Sequence, residues 1–194
     1  MSISEKPQGK AHTGALSPEY ALLGLLAQGP AHGYELHQKL SVDLGQVWHI
    51  SLSQSYNILN RLEAQGYIAG AVQEQEKLPA RRLFHLSPLG RRRFEDWLHA
   101  ASGSSVRSIR LEFLTRLYFA RLTSSQLAHE LIETQLAETR RGLERLRSLY
   151  SGLPTEGQLI NRLGLELRLR QLESILEWLQ SCHKAIDSPS GITP

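Results

Sequence analysis

The fold is decided by residues 48–66, W-H-I-S-L-S-Q-S-Y-N-I-L-N-R-L-E-A-Q-G. Apolar residues recur in this stretch at helical spacing and predict one short helix with a buried face, formed by Ile58, Leu59 and Leu62. Either Ser51 or Ser53 can cap the N-terminus of this helix, and Gly66 can end it. This helix is the reference for the elements predicted before and after it.

The opposite face of the same helix is polar. It carries hydrogen-bonding side chains of moderate length, namely Ser53, Gln54, Asn57, Asn60 and Arg61. Such groups suit the base edges of a DNA major groove, because Asn and Gln pair with adenine and Arg pairs with guanine. The alternative is an ordinary solvated helix face, and the neighbouring elements favour DNA binding over it.

Two helices are predicted before this stretch. The first begins at S-P-E (17–19), with Ser as the cap, Pro in the first position and an acid in the first turn, and G-P (29–30) stops it. The second runs from about Ala31 to Leu44, with leucine at every fourth position on its inner face. Three helices with short connections, the third carrying a polar face, are the skeleton of a helix-turn-helix module.

After the central helix the period of the apolar residues shortens to that of a strand. Residues 67–73 and 81–86 are predicted as two strands, joined by a polar, proline-containing loop at 74–80. Three helices followed by a two-stranded ribbon make a winged helix. Arg81 and Arg82 would then contact the DNA backbone or minor groove from the wing, unless they are simply solvated.

A fourth helix, from about Pro88 to His99, is capped by Ser87, and the small, flexible run A-A-S-G-S-S (100–105) marks a domain boundary. The predicted division is a disordered tail at 1–16, a winged helix-turn-helix DNA-binding domain at 17–100, a helical dimerisation domain at 106–186 and a disordered tail at 187–194. The fold class is thus mainly α: an α+β winged helix-turn-helix followed by an all-helical dimerisation domain.

The rest of the chain is predicted to form three helices. The first covers about 106–122, the second runs from a cap at 123–125 to about Tyr150, and the third follows a break at 151–154. The last two helices carry near-heptad apolar seams, formed by Ile132, Leu136, Leu143, Leu146, Leu165, Leu169, Leu172, Leu176 and Leu179. Other apolar residues widen the last seam, including Ile160, Leu163 and Leu167. One chain offers too little surface to cover such bands, so a second copy is expected to complete the core. The alternative is a helical hairpin that packs within the chain.

Composition limits the partners and the location. The 194-residue chain has a formal net charge of +3, yet residues 17–100 hold eight Lys or Arg and eight Asp or Glu, so this segment is neutral. Five of its cations cluster at 81–93, where they can supply phosphate contacts. A single cysteine, Cys182, excludes an internal disulfide, and the sequence has neither a signal-peptide core nor an apolar run of ~20 residues. We expect a soluble cytoplasmic protein without membrane contact.

Five motifs, in this order, resemble those of the PadR family of bacterial transcription regulators. They are L-L-A-Q-G-P-A-H-G-Y-E-L (25–36), Trp48 with Ser51, Ser53, Gln54 and Tyr56, R-L-E-A-Q-G (61–66), P-A-R-R-L-F-H-L-S-P-L-G (79–90) and E-F-L-T-R-L-Y-F-A-R-L-T-S (112–124). The last resembles the subgroup with a long helical C-terminal domain, which includes phenolic-acid repressors and virulence activators. The resemblance covers nearly the whole chain.

The resemblance implies a homodimer with entwined C-terminal helices, which presents two winged helices to successive major grooves of a near-palindromic double-stranded site. It also implies DNA contacts from Ser51, Ser53, Gln54 and Tyr56 on the recognition helix, and from Arg81 and Arg82 on the wing. The sequence departs from the family pattern twice. Leu52 stands where the subgroup often has histidine, and Ser55 stands where it usually has Ile or Leu, which predicts looser inner packing of the helix.

Many members of the family respond to small aromatic or planar apolar molecules, which implies an effector. The aromatic residues expected to line its pocket, between the domains or along the dimer seam, are Phe94, Trp97, Phe113, Tyr118 and Trp178. The alternative is that these side chains belong to the core.

The sequence contains no motif that predicts catalysis or metal binding. His129-Glu130-Leu131-Ile132-Glu133 begins like a zincin helix, but Glu133 occupies the place of the second histidine. We therefore predict no enzyme activity, no metal and no cofactor.

The sequence favours a homodimeric, sequence-specific transcriptional regulator, more a repressor than an activator, relieved by a small effector. The alternative is a protein-interaction adaptor that uses a winged helix and a helical tail without reading DNA.

Overall fold

The computed structural model describes residues 17–73, 81–154 and 156–187, and only the backbone at Gln73, Arg81 and Asp187. The predicted mainly α fold is confirmed. In chain order the elements are α1 (Glu19–Gln28), β1 (Ala31–His32), α2 (Gly33–Asp43), α3 (Leu52–Ala64), β2 (Ile68–Gln73), β3 (Arg81–Leu86), α4 (Pro88–His99), α5 (Val106–Ser108), a π-helical turn (Ile109–Phe113), α6 (Leu114–Thr123), α7 (Ser125–Gly152) and α8 (Leu159–Asp187). The loop at 74–80 and the predicted tails, apart from the backbone of Asp187, lie outside the described residues.

The second helix begins later than its sequence predicts. Ala31 and His32 form a short strand that pairs antiparallel with β3, so that the sheet has the order β1-β3-β2. His32 then caps α2, and its backbone N–H donates to the Glu35 carboxylate at 3.0 Å. A two-residue strand has no apolar period, so sequence analysis assigned these residues to the helix.

The central helix, α3, is shorter than the stretch that predicted it. Residues 48–50 precede it, and Ser51 is the N-cap: Ser51 Oγ accepts from the Gln54 N–H at 3.2 Å, and the Gln54 side chain accepts from the Ser51 N–H at 2.8 Å. Gly66 follows the helix with φ at +73°, a left-handed conformation that glycine adopts without strain. Both predicted end signals, the serine cap and the glycine stop, are therefore confirmed.

The segment predicted to be a flexible boundary packs against the C-terminal helices. Ser102 is buried, its hydroxyl accepts from Arg116 Nη1 at 2.7 Å, and its carbonyl accepts from the Gln135 amide at 3.3 Å. Gly142 lets this segment approach α7, because a Cβ there would lie 2.5 Å from Ser104 Oγ. One apolar cluster also runs across the boundary, from Tyr20 in α1 to Cys182 in α8.

The helix predicted at 106–122 is interrupted by the π-helical turn. Four of the five residues in this turn are buried, namely Ile109, Leu111, Glu112 and Phe113. Such a run of buried side chains does not fit one face of a regular α-helix, and the extra residue of a π turn reorients them towards the core. Periodicity alone predicted the helix but not this irregularity.

α7 and α8 form an antiparallel hairpin in which the predicted dimer seams pack against each other. Six of the nine seam residues are buried by the chain itself, namely Ile132, Leu136, Leu143, Leu146, Leu172 and Leu179. The other three, Leu165, Leu169 and Leu176, are half-buried against them. Each seam therefore finds a complement on the neighbouring helix of the same chain, as the alternative of a hairpin that packs within the chain predicts, and a role of these residues in a dimer stays a prediction. Among the described helices, none is long and apolar enough to span a bilayer.

Candidate nucleic-acid interface

The polar stripe predicted on the central helix lies on its outer face. Its members are all exposed, namely Ser53, Gln54, Asn57, Asn60 and Arg61, whereas Ser55, Ile58, Leu59 and Leu62 are buried beneath. Ser53, Asn57 and Asn60 make no side-chain hydrogen bond to any residue that the structure describes. Their donors and acceptors are therefore available to an external partner.

Two members of the stripe have structural partners. Gln54 uses its side-chain oxygen in the capping box at Ser51, and Arg61 Nε donates to the Glu19 carboxylate at 2.7 Å. Arg93 donates to the other oxygen of Glu19 at 3.1 Å, so one nearly buried acid ties α3 and α4 to the start of α1. This cluster is not predictable from the sequence, because Glu19 lies 42 residues from Arg61 and 74 from Arg93, and its own position indicates only a first-turn acid.

The wing places one predicted arginine beside α3. Arg82 is exposed, its Nη2 donates to Glu63 Oε1, and its guanidinium lies 5.3 Å from the centre of the Phe84 ring. Glu63 also accepts from the Gly70 N–H at 3.0 Å, which fixes the base of the wing. Arg81 belongs to β3, and its side chain lies outside the described part of the structure.

The two departures from the family pattern have different environments. Ser55 is fully buried, but its hydroxyl is hydrogen-bonded to His37 Nδ1 at 2.9 Å, so the polar side chain is satisfied. Leu52 is partly exposed at the start of α3, beside the stripe. Tyr56 is also partly exposed and covers Gly33, where a Cβ would lie 2.6 Å from its ring.

Hydrogen bonds from the C-terminal helices fix the approach to α3. The Trp48 indole N–H donates to Thr115 Oγ1 at 2.7 Å, and this hydroxyl donates to the Leu111 carbonyl at 2.6 Å. The Tyr118 hydroxyl donates to Asp43 at the end of α2, and burial together with this contact raises the pKa of Tyr118. Residues far along the chain thus position the segment that leads into α3.

Most of the aromatic residues predicted to line an effector pocket belong to the core. Phe94 and Phe113 are buried, Phe94 meets Phe119 edge-on at 5.2 Å, and Phe113 meets Trp178 edge-on at 6.1 Å. Tyr118 is half-buried and bonded to α2, as described above. Of the five, Trp97 lines a cleft, and the Tyr20 ring stacks on it at 4.6 Å.

This α4 cleft has a volume of about 880 Å³ and lies between α4 and the helix that contains the π turn. Aromatic and charged side chains line it, including Tyr20, Tyr67, Trp97, Arg92, Arg93, Asp96, Glu112 and Arg116. Arg116 lies 4.8 Å from the centre of the Trp97 ring and pairs with Glu112 at 2.6 Å. Burial raises the pKa of Glu112, and the Arg116 guanidinium opposes that shift.

The sequence showed the four-residue spacing of Glu112 and Arg116, but such pairs usually lie on exposed helix faces. Arg116 Nε is buried without a hydrogen-bond partner among the described residues. The cleft thus combines aromatic walls with charged side chains of both signs.

Within the described residues, no three His, Cys, Asp or Glu side chains converge as a metal site. The two histidines His129 and His183 instead join α7 to α8, with their Nδ1 atoms 3.0 Å apart. The second of them contacts Glu133 through Nε2 at 2.7 Å. The zincin-like segment thus contributes to the helical hairpin.

Comparison with known proteins supports the interpretation of the motifs. The profile of the Transcriptional regulator PadR-like family matches residues 22–96, and that of Virulence activator alpha C-term matches residues 109–187. The Negative transcriptional regulator PadR of Bacillus subtilis (strain 168) is 28% identical over 179 residues, which is 87% of this chain and 97% of that protein.

Two crystal structures of Bacillus subtilis PadR are also similar to this chain. The complex with operator DNA has 28% identity and a TM-score of 0.42 over 87% of this chain and 98% of that one. The complex with p-coumaric acid has 28% identity and a TM-score of 0.38 over 88% and 99%. With both profiles matched in order, this chain contains a domain of the PadR-like family, whose members are transcriptional regulators rather than enzymes, and it carries the C-terminal helical extension.

Proposed function

We propose that this chain is a homodimeric, sequence-specific DNA-binding repressor of the cytoplasm, released by a small aromatic effector. The exposed stripe on α3 carries the proposal, because Ser53, Asn57 and Asn60 have hydrogen-bonding groups without partners among the described residues. Side chains of this kind can form specific hydrogen bonds with base edges in a major groove. A small winged-helix dimer can repress by occluding a promoter, without any part that contacts polymerase.

The proposed DNA contacts fall into two classes. Ser53, Asn57 and Asn60, with the free amide nitrogen of Gln54, are proposed to read bases. The remaining residues are proposed to position the protein on the backbone, namely Ser51, Tyr56, Arg61, Arg81 and Arg82. Since Arg61 and Arg82 already pair with Glu19 and Glu63, a phosphate must compete with a carboxylate at both.

A second copy is proposed to cover the flank of α8 that the hairpin leaves exposed. Ile160, Leu163 and Leu167 follow each other at helical spacing and are 77%, 52% and 57% exposed. Large apolar side chains in such a row favour association with another surface. Two copies would present two winged helices to half-sites of a near-palindromic operator, ~34 Å apart.

Replacing Asn57 with alanine is expected to weaken operator binding about five- to 150-fold, because one adenine would lose its bidentate partner. The helix should remain intact, since Asn57 makes no hydrogen bond to the described residues and alanine favours helices. Fluorescence anisotropy measures the affinity, on a duplex mapped by footprinting upstream of the protein's own gene. Gln180→Ala on α8 is the matched control, because Gln180 is also exposed and makes no side-chain hydrogen bond to the described residues.

The same titrations distinguish base reading from general attraction. Arg82→Ala should weaken all duplexes alike and lower the salt slope by about one unit, whereas Asn57→Ala should relax the preference at one base pair. Equal loss on specific and random duplexes for Asn57→Ala would contradict its role. A wild-type protein that binds no upstream fragment at low salt, but captures another protein, would support the adaptor alternative.

The α4 cleft is the proposed effector site, because the Tyr20 and Trp97 rings and the exposed Arg92, which has no ion-pair partner among the described residues, suit a planar aromatic acid. We expect p-coumarate to bind there and to weaken operator binding. Arg92 lines the cleft and is exposed, so Arg92→Gln should reduce p-coumarate affinity about tenfold by calorimetry. The neighbouring Arg91→Gln is the control, and equal loss in both variants would refute this location.

A further inference from the structure

A second concave surface shares no lining residue with the α4 cleft. It has a volume of about 670 Å³ and is formed by residues 103–108 together with α7 and α8. We call it the hairpin cleft. Nothing in the proposed DNA-binding or effector function uses it.

The hairpin cleft is strongly cationic. Arg107, Arg145 and Arg168 line it from three separate segments, and the residues described as lining it include no Asp or Glu. Arg107 and Arg168 have no ion-pair partner within the described residues, and Arg145 pairs with Glu138 outside the cleft. The α4 cleft differs, because Glu112 and Asp96 offset its arginines.

The floor of the hairpin cleft is apolar. Leu146 and Leu172 lie buried at its base, and Leu149 borders it with 58% of its surface exposed. A cationic rim above an apolar floor offers two different contacts at once, a charge-assisted hydrogen bond and the burial of hydrocarbon. Duplex DNA would satisfy only the first, since its backbone is charged throughout.

We propose that the hairpin cleft binds an amphipathic carboxylate: a carboxylate head held by Arg107 and Arg168, with an unbranched hydrocarbon tail along Leu146, Leu149 and Leu172. Guanidinium groups suit the head, because they bind carboxylates through paired N–H donors. The concave shape suits the tail, which gains by leaving water. The proposal is independent of DNA binding and of the α4 cleft.

Calorimetric titration of the full chain with decanoate tests the proposal. The wild type should bind it, and affinity should rise about fourfold for each methylene that enters the cleft, along the series hexanoate, octanoate and decanoate. The double variant Arg107→Gln/Arg168→Gln should bind decanoate at least about tenfold more weakly. Arg170→Gln is the matched control, because this arginine is exposed on α8 and pairs with Glu166 away from the cleft.

A second variant keeps the test independent of the charges. Leu149→Gln changes an exposed side chain and should flatten the dependence on chain length. Unchanged decanoate affinity in the folded double variant, or no binding by the wild type, would overturn the proposal. If the double variant instead altered the solution mass and left decanoate binding unchanged, the hairpin cleft would be an interface between copies. Operator and p-coumarate binding should be unaffected in both variants, which separates this proposal from the proposed function.

Discussion

Replacing Arg116 with methionine is expected to lower the free energy of unfolding by about 3–5 kcal/mol at neutral pH. Arg116 and its partner Glu112 are only 2% and 5% exposed, and their side chains meet at 2.6 Å. Methionine preserves much of the volume but leaves the Glu112 carboxylate buried without its counter-ion. It also removes the hydrogen bond that holds Ser102 in the boundary segment.

Urea unfolding followed by circular dichroism measures this loss. The chain contains its own control, because Arg170 and Glu166 form another pair four residues apart, also at 2.6 Å, but with 75% and 40% of their side chains exposed. Arg170→Met should cost less than about 0.5 kcal/mol. The double variant Arg116→Met/Glu112→Leu should recover most of the stability, since it removes both buried charges. Similar losses at Arg116 and Arg170 would contradict the assignment.

The loss at Arg116 should also depend on pH. Burial raises the pKa of Glu112, and in Arg116→Met no guanidinium opposes that shift. A carboxyl group with a higher pKa in the folded chain binds more protons when folded, so its contribution to stability decreases as pH rises through that folded pKa. The deficit of the variant should therefore be smaller in mild acid than at neutral pH. A deficit that does not change with pH would show that Glu112 carries no unpaired charge.

The second large effect is expected at Gly24 in α1, where alanine should destabilise the protein by about 1–3 kcal/mol. A Cβ at this position would overlap three atoms of the Phe119 ring. The ring cannot easily move aside, because it is buried and lies 5.2 Å from Phe94 and 5.0 Å from Tyr118, centre to centre. The crowding should thus push α1 away from α6. Contact between these two helices connects the winged helix to the C-terminal region.

Gly164→Ala provides the control for Gly24→Ala. Gly164 lies within α8 with no atom near its missing Cβ, so alanine should stabilise the helix there by up to about 1 kcal/mol. Opposite signs in thermal unfolding would show that crowding, and not helix propensity, decides the result at Gly24. The double variant Gly24→Ala/Phe119→Leu should lose less stability than the sum of the losses in the two single variants, because leucine at 119 makes room for the alanine Cβ. Strict additivity would contradict contact between the two sites.

The structure agrees with the sequence-based predictions where the deciding residues are neighbours in the chain. Ser51, Ser87 and Ser124 each accept a hydrogen bond from a backbone N–H three residues ahead, as their positions before helical segments predict. The buried and exposed faces of α3 also follow from spacing alone. In these cases the residues that decide the structure are neighbours in the chain.

Features that depend on residues far apart in the chain leave no such local signal. A heptad seam predicts that a face is buried, but it does not say whether the complement lies on another copy or on the next helix; the structure buries Leu143 and Leu172 against each other within the chain. The ion pairs of Glu19 with Arg61 and Arg93 span 42 and 74 residues and leave no local pattern. Glu112 and Arg116 have a visible spacing, but only the tertiary packing shows that both are buried.

The bond between Trp48 and Thr115 affects how modules of this kind can be exchanged between relatives. A fragment that stops at residue 100 would retain every side chain that is proposed to contact bases and lose the acceptor of the Trp48 indole, which is buried in the full chain. A chimera that joins this winged helix to a foreign C-terminal region therefore needs a hydroxyl at the position of Thr115. Without this hydroxyl, α3 of the chimera would keep its polar side chains, but the segment that leads into α3 would lose the hydrogen bond that positions it.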